Sequence, residues 1–162
     1  MAEIFMKFDP DIKGEAKEDK HKDWIQLESL GYSASMEVSS AKGSAGGASA
    51  GKVQHGDLVC SKFADLATAK LMELCSSGKH FKTVKIEFLR AGGDKVKYME
   101  INLAEVLISS IQFGAGSGSD VGTDSLSLNY GKIEIIYTAQ KREDGSGGGN
   151  VTGKFDLIAG KV

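Results

Sequence analysis

One proline, one tryptophan and two cysteines are scattered through 162 residues, and each scarcity removes a class of protein. Cys60 and Cys75 form no CxxC and no zinc-ligand spacing, so neither a disulfide framework nor a structural metal is expected; both read as buried free thiols that behave as small hydrophobes. No apolar run approaches the roughly 18 residues that would suggest a membrane span, so membrane insertion is not expected. Asp9 and Pro10 stand where the apolar core of a signal peptide would lie, which predicts a cytoplasmic product that leaves the cell, if it does, without a cleaved signal. Positive charge is not in excess either. Twenty Lys and Arg against 22 Asp and Glu, dispersed in small clusters, leave no basic stripe to neutralise a row of phosphates, so no nucleic-acid partner is predicted.

What is abundant is glycine, 21 residues in all, 12 of them crowded into 39–52, 114–122 and 143–151. Apolar alternation resumes on either side of each cluster, so these are loops within a single domain spanning residues 1–162. Ile4, Met6 and Phe8 predict a first strand ending at Asp9-Pro10, followed by a polar, exposed loop. Ile25 and Leu27 lie on one parity and Leu30 and Tyr32 on the other, which requires a bulge near Glu28 and Ser29. Met36 with Val38, and Val53 through Leu58 and Cys60, read as further strands. Val84, Ile86 and Phe88 turn at Gly92-Gly93 into Val96 and Tyr98, a hairpin. Ile101 with Leu103, Val106 with Ile108, and Ile111 with Phe113 each change parity, so that segment must be bulged near residues 102–105. Leu126 to Tyr137 repeats the switch at Gly131, and a last strand surrounds Phe155, Leu157 and Val162.

A single helix stands against these strands. Leu66, Ala67, Ala69, Leu71, Leu74 and Cys75 leave an apolar stripe at intervals of three and four, predicting a helix over residues 66–77 with Asp65 as N-cap and Gly78 in the left-handed position beyond its end. The fold class that follows is mainly β: an antiparallel barrel or sandwich of about seven or eight strands with one flanking α-helix.

The residues offer little chemistry. Gly46, Gly51 and Lys52 match the spacing of a phosphate loop, but Val53 replaces the magnesium-binding hydroxyl and a strand pattern follows where a helix is needed. Gly114 to Gly118 lacks the third glycine spacing of a dinucleotide fingerprint. His21, His55 and His80 have no partner at i+4 to form a metal pair, and capping or solvent exposure is their expected state; Glu15, Glu18, Asp19 and Asp23 read as a solvated face. Asn150 to Thr152 satisfies the glycosylation sequon, unread without a secretory signal. No catalytic, cofactor-binding or metal constellation emerges.

Longer segments carry a resemblance. KGEAKEDKHKDWIQLESLGYSAS (13–35), AGKVQHGDLVCSKFAD (50–65), LMELCSSGKHF (71–81), EVLISSIQFGAGSG (105–118) and LNYGKIEIIYTAQK (128–141) are similar, in this order, to the haemolysin-coregulated protein family of the type VI secretion system. The resemblance implies a barrel protomer that assembles with itself into hexameric rings. Stacked rings would form the inner tube of a contractile machine related to phage tails, inside a contractile sheath and beneath a spike protein. The family is also implied to carry and chaperone secreted effector proteins in the ring lumen, to be exported by that machine and to need no cofactor; no enzymatic activity is expected.

On that resemblance, Ser29, Gly31 and Ser33, small and outward in parity, are candidate lumen residues for effector binding. Lys42, Gly46, Gly47 and Lys52 are candidates for a loop that touches the next ring. Phe5, Ile135 and Phe155 are candidates for strand edges that meet a neighbouring protomer. The helix is expected on the outside of the barrel, residues 142–150 look flexible, and no toxin domain is expected after Val162. Two alternatives stand beside this reading: a monomeric β-barrel that binds a ligand in or at its mouth, and a hydrolase built from His55, Asp57 and Asp124.

Overall fold

In the computed structural model of the chain, described for residues 2–39, 49–140 and 147–162, ten strands and one helix follow each other in the order β1 (Glu3–Asp9), β2 (Ile25–Leu27), β3 (Ser29–Gly31), β4 (Ala34–Ser39), β5 (Ser49–His55), β6 (Leu58–Phe63), α1 (Thr68–Ser77), β7 (His80–Leu89), β8 (Lys97–Gly114), β9 (Thr123–Gln140) and β10 (Gly147–Asp156). Eight strands form one antiparallel sheet in the order β2-β1-β7-β8-β9-β6-β3, with β10 added on β9, while β4 and β5 form a separate two-stranded ribbon. The mainly β class and the single helix agree with expectation, and the ribbon is an addition to the main sheet.

Closure depends on the short strands. β2 pairs with β1 through Ile4 opposite Leu27, and β3 pairs with β6 through Leu30 opposite Cys60. Only Glu28 separates them, its N–H donating to the Ser61 carbonyl at 2.8 Å. The chain thus changes partner across one residue, at the bulge that the parity of Ile25/Leu27 and Leu30/Tyr32 demands, and joins the two ends of the sheet.

A second switch runs across the three longest strands. Phe81 and Val84 of β7, Leu103 and Val106 of β8, and Tyr130 and Ile133 of β9 are all buried, so each strand changes its inward parity at one level. In β8 the change falls at Glu105, which adopts φ 53°. Gly131 occupies the matching place on β9, where an added Cβ would lie 2.8 Å from Ile158 Cδ1 and 3.2 Å from Glu105 Cβ. Above and below that level the same strands present core side chains in opposite parity, which bends the sheet around its own core.

The helix is shorter than the spacing predicts, starting at Thr68 with no side-chain cap on its N-cap residue, Ala67. Asp65 still serves the entry, its Oδ1 accepting from the Ala67 N–H at 2.8 Å. Gly78 takes the left-handed position (φ 67°), as expected. Leu71 is fully buried and Leu74 and Cys75 pack partly against the core, whereas Leu66, expected on the apolar stripe, is 67% exposed. Burying a side chain such as Leu71 contributes about 2 kcal/mol, enough to anchor a ten-residue helix that is marginal in isolation.

The segment between β1 and β2 is not the exposed loop that its polarity suggests. Ile12, Ala16 and His21 are buried, and Ala16 joins Phe5 and Leu89 in a second small core against which Trp24 packs. Backbone bonds from Gly14 N to Asp23 O (2.8 Å) and from Ala16 N to Trp24 O (3.0 Å) fold it on itself. Cys60 and Cys75 are free; burial pushes the Cys60 thiol up to about 12. The tail expected to be flexible enters a strand at Gly147, paired with β9.

A buried ion pair sits inside the barrel. Lys62 of β6 lies opposite Asp124 of β9, and neither is exposed to solvent. Its ammonium donates to Asp124 Oδ2 at 2.7 Å and to Asp65 Oδ1 at 2.6 Å, while the Thr68 hydroxyl donates to Asp124 Oδ2 at 2.7 Å. Lys62 thereby ties the helix entrance to β6 and β9. Removing the cation leaves two carboxylates without their counter-charge, so Lys62→Met is expected to lower stability by about 3–5 kcal/mol. Urea unfolding followed by circular dichroism measures this, and Lys62→Met combined with Asp124→Leu is expected to recover part of the loss.

Candidate functional site

The bend at Glu105 and Gly131 divides the outward surface into two faces of different chemistry. On one side lie β3, β6, the first half of β9 and the second half of β8. Their register aligns Ser29, Ser61, Ser125 and Gln112 in one row across the sheet, and Gly31, Val59, Ser127 and Ser110 in the next. No residue in either row is charged. The hydroxyls are paired among themselves, Ser29 with Ser61 at 2.6 Å and Ser110 donating to Ser127 at 2.8 Å, around a shallow depression of about 450 Å³. Beyond the rows, Asp57 accepts from Ser109 at 2.6 Å and from Asn129 at 3.0 Å, so the carboxylate bordering this face is fully engaged.

Beyond the bend the outward face is laced with charge. Lys7, Lys85, Asn102, Glu134 and Lys154 follow one another across β1, β7, β8, β9 and β10. Lys97 lies 3.2 Å from Glu100 and 3.6 Å from Glu87, and Asn102 donates to both Glu100 (3.1 Å) and Glu134 (3.3 Å). Burial pushes the Glu100 carboxyl up, but the hydrogen bonds from Asn102 and Lys97 outweigh it and hold the group below the usual carboxylate range.

The structure brings Ser29 and Gly31 together on the uncharged face and leaves Ser33 apart, its carbonyl accepting from the Gly56 N–H at 2.9 Å beside the ribbon. Sequence reasoning missed Ser61, Ser110, Gln112, Ser125 and Ser127. The alternation of Ser125 and Ser127 about Leu126 carried the signal, but their alignment with Ser29 required the strand order. Among the ring-stacking candidates, Lys42, Gly46 and Gly47 lie outside the described residues; Lys52 is exposed on β5, on the opposite parity from Val53.

Two expected edge residues are not at edges. Phe5 is buried on a strand paired by both β2 and β7, and Ile135 is paired on one side with Ile101 and on the other with Gly153. The parity pattern placed both in strands correctly but carried no information on neighbours. Phe155 is on β10, which pairs with β9 along its length and, at Asp156, is bridged on its other side by Lys161, while no further strand pairs with that side among the described residues. Its ring stacks on His55 at 5.0 Å, and Tyr130 donates to the Gly56 carbonyl at 3.1 Å, together fixing the base of the ribbon. Burial, then Asp57 and Tyr32, push the Tyr130 hydroxyl upward. On the ribbon, Met36 and Val38 are exposed on one face.

His55, Asp57 and Asp124 do not form a hydrolase site. His55 meets Tyr130 and Phe155, Asp57 meets Ser109 and Asn129, and Asp124 is locked to Lys62 in the core. Among the described residues no three His, Cys, Asp or Glu side chains converge on a metal position, and no helix is long and apolar enough to cross a membrane.

Solved structures share this architecture. One described as a type six secretion system protein superposes with a TM-score of 0.92 at 29% identity, covering 99% of both chains. Hcp1 from Salmonella typhimurium has the same fold, with a TM-score of 0.81 at 24% identity over 99% of this chain and 97% of the other. The molecule is therefore a barrel of the type VI secretion class. Residues 5–137 match the family described as "Type VI secretion system effector, Hcp", and Protein hcp1 of Pseudomonas aeruginosa is 37% identical over 150 residues, 92% of this chain and 91% of that protein. The chain belongs to the Hcp family.

Gly31 is the position on the uncharged face where a side chain costs least, because an added Cβ would meet only Val59 Cγ2 at 3.8 Å and its backbone needs no left-handed angle. Gly31→Glu is expected to change the unfolding free energy by less than about 1 kcal/mol, measured by urea denaturation.

Proposed function

We propose that this chain is a structural subunit of the type VI secretion inner tube, closing into hexameric rings that stack and carry effector proteins through their lumen. The observation that carries the reading, given the family, is the division of one barrel surface into an uncharged hydroxyl face and a charge-laced face. A lumen that passes varied cargo calls for small side chains already satisfied by one another, as Ser29 with Ser61 and Ser110 with Ser127 are. A ring calls for a heterologous contact that closes, and the outer side of β10 ahead of its Asp156–Lys161 bridge, together with the apolar Met36 and Val38 of the ribbon, offers material for it.

On this reading residues 39–52, including Lys42, Gly46, Gly47 and Lys52, touch the next ring, and Ser29 and Gly31 face the cargo. The role is mechanical: no substrate is turned over and no cofactor is used. The tube would meet a spike at its tip and a sheath around it, and would leave the cytoplasm by the machine it builds.

Light scattering after gel filtration, with negative-stain images of the same peak, tests assembly without any substrate. Rings of six with an open centre are expected. A clean monomer across concentrations would instead favour the ligand-binding barrel. The cargo face is tested separately: Gly31→Glu is expected to leave rings intact and to reduce co-purification of effector proteins by about tenfold, as a buried, unpaired carboxylate at a contact would. Unchanged cargo binding would remove this face from consideration.

A further inference from the structure

At the turn from β7 into β8 one cation has no counter-charge. Arg90 follows β7 directly, its N–H donating to the Val96 carbonyl at 2.8 Å across the turn. Its guanidinium lies over the Tyr98 ring, 4.8 Å from the centroid, and Nη2 donates to the Tyr137 hydroxyl at 3.3 Å. Nε is buried and has no acceptor. The carboxylates on the strands around it are taken: Glu3, opposite Leu89, by Lys95 at 2.9 Å, and Glu87 and Glu100 by Lys97. Among the described residues no carboxylate, Asp94 of its own turn included, lies within ion-pair distance of the guanidinium.

An arginine keeps its charge at any pH at which the protein folds, so burial cannot neutralise this group. An N–H enclosed without an acceptor costs folding free energy, and an apolar side chain at this place would not carry that cost. The two tyrosines fix the guanidinium plane, one by stacking and one by a hydrogen bond, as a preorganised fork needs. Because Nε is enclosed, a carboxylate from outside meets the two terminal nitrogens end-on: Nη1 through either hydrogen, Nη2 through the one that Tyr137 leaves. Tyr137, and Val151 opposite it on β10, are exposed beside the fork, so the group carrying the carboxylate has apolar neighbours to lie against.

The chain itself offers the matching group. Glu37 on β4 is exposed, has no hydrogen bond or ion pair among the described residues, and stands between the exposed Met36 and Val38. It belongs to the ribbon outside the main sheet, whose base is fixed beside the bend by Tyr130 on the Gly56 carbonyl and Phe155 on His55. Arg90 lies at the other end of the same strands, since an extended β9 covers roughly 20 Å from Gly131 to Tyr137. One barrel thus carries a cation without a counter-charge at one end and an anion without one at the other. Copies placed end to end bring the two together, and copies placed with like ends facing do not. We propose, on the reading that rings stack, that Arg90 is a carboxylate anchor between copies of this chain and receives Glu37 from a copy in the adjoining ring.

Stacking of rings of the full chain is followed by sedimentation velocity, with negative-stain images, over a range of concentrations. A ring presents the contact once per subunit, so a small loss per pair multiplies. Glu37→Arg and Arg90→Glu are each expected to leave rings intact and to raise the concentration at which they stack by about tenfold or more. The variant with both changes restores opposite charges in exchanged places and is expected to stack within about threefold of the unmodified chain. Arg90→Lys, which keeps the charge and loses the fork, is expected to fall between. Glu37 has no polar partner in its own chain to lose, so Glu37→Arg decides where Arg90→Glu does not fold. Single variants that stack like the unmodified chain, or a double variant no better than its parents, would overturn the anchor and leave the tube reading standing. An unmodified chain that forms no stacked rings at any concentration overturns the tube reading, and the anchor with it.

Discussion

Everything distinctive in this barrel depends on three neighbouring strands changing their inward parity at the same level. A strand exposes alternate residues to alternate faces, so a strand that keeps one parity along ten or more residues stays part of one flat sheet. β8 and β9, each eighteen residues long, escape this because Glu105 accepts a left-handed backbone and Gly131 gives it room. A left-handed non-glycine residue costs of the order of 1–2 kcal/mol. That cost is offset by the burial of Leu103, Val106, Tyr130 and Ile133 on both sides of the bend, which no flat sheet of this sequence would allow. The same bend places the uncharged rows and the charged rows on different faces, so the chemistry of the surface is a consequence of how the core is closed.

The polar groups within the barrel act at its joints. Lys62 meets Asp124, Asp65 and Thr68 where the helix enters, and His21 meets Glu18 and Glu87 where the β1–β2 segment lies over β7. In both places an excursion from the sheet returns to it, and apolar packing alone specifies such returns poorly because it has no direction. A buried charge that is stable only when two particular partners arrive gives the return one geometry.

Much of the fold was legible because parity is a local property. The bulge between Leu27 and Ser29, the switches at Glu105 and Gly131, the hairpin after Leu89 and the left-handed Gly78 can each be found within a few residues of sequence. What was not legible depended on pairing at a distance. Phe5 and Ile135 alternate as edge residues would, and only the strand order reveals a neighbour on each side. The polar run from residue 13 to 23 reads as solvated, although it carries Ala16 and His21 into a small core, because the residues that receive them, Phe5, Glu87 and Leu89, lie elsewhere in the chain. Lys62 gave a usable sign: it continues the inward parity of Leu58 and Cys60, and Asp124 continues that of Leu126 and Leu128. A cation and an anion at inward positions of two strands are either an error of parity or a pair.

The division of surfaces bears on how an assembling subunit separates two kinds of recognition. Charged groups act over about 10 Å at moderate salt, steer encounters and penalise the wrong partner, so they suit a contact that must form in one register with an identical copy. Lys97 between Glu87 and Glu100, with Asn102 joining Glu100 to Glu134, is a pattern of this kind, fixed enough to be complementary to a particular surface. A face of self-paired hydroxyls exerts no such field. It neither attracts nor excludes a protein by its net charge, and it gains only from short-range fit around Gly31 and Val59. In a tube, the selective contacts would then belong to assembly, while the cargo would be admitted by shape, and the bend at Glu105 and Gly131 keeps the two from sharing a surface.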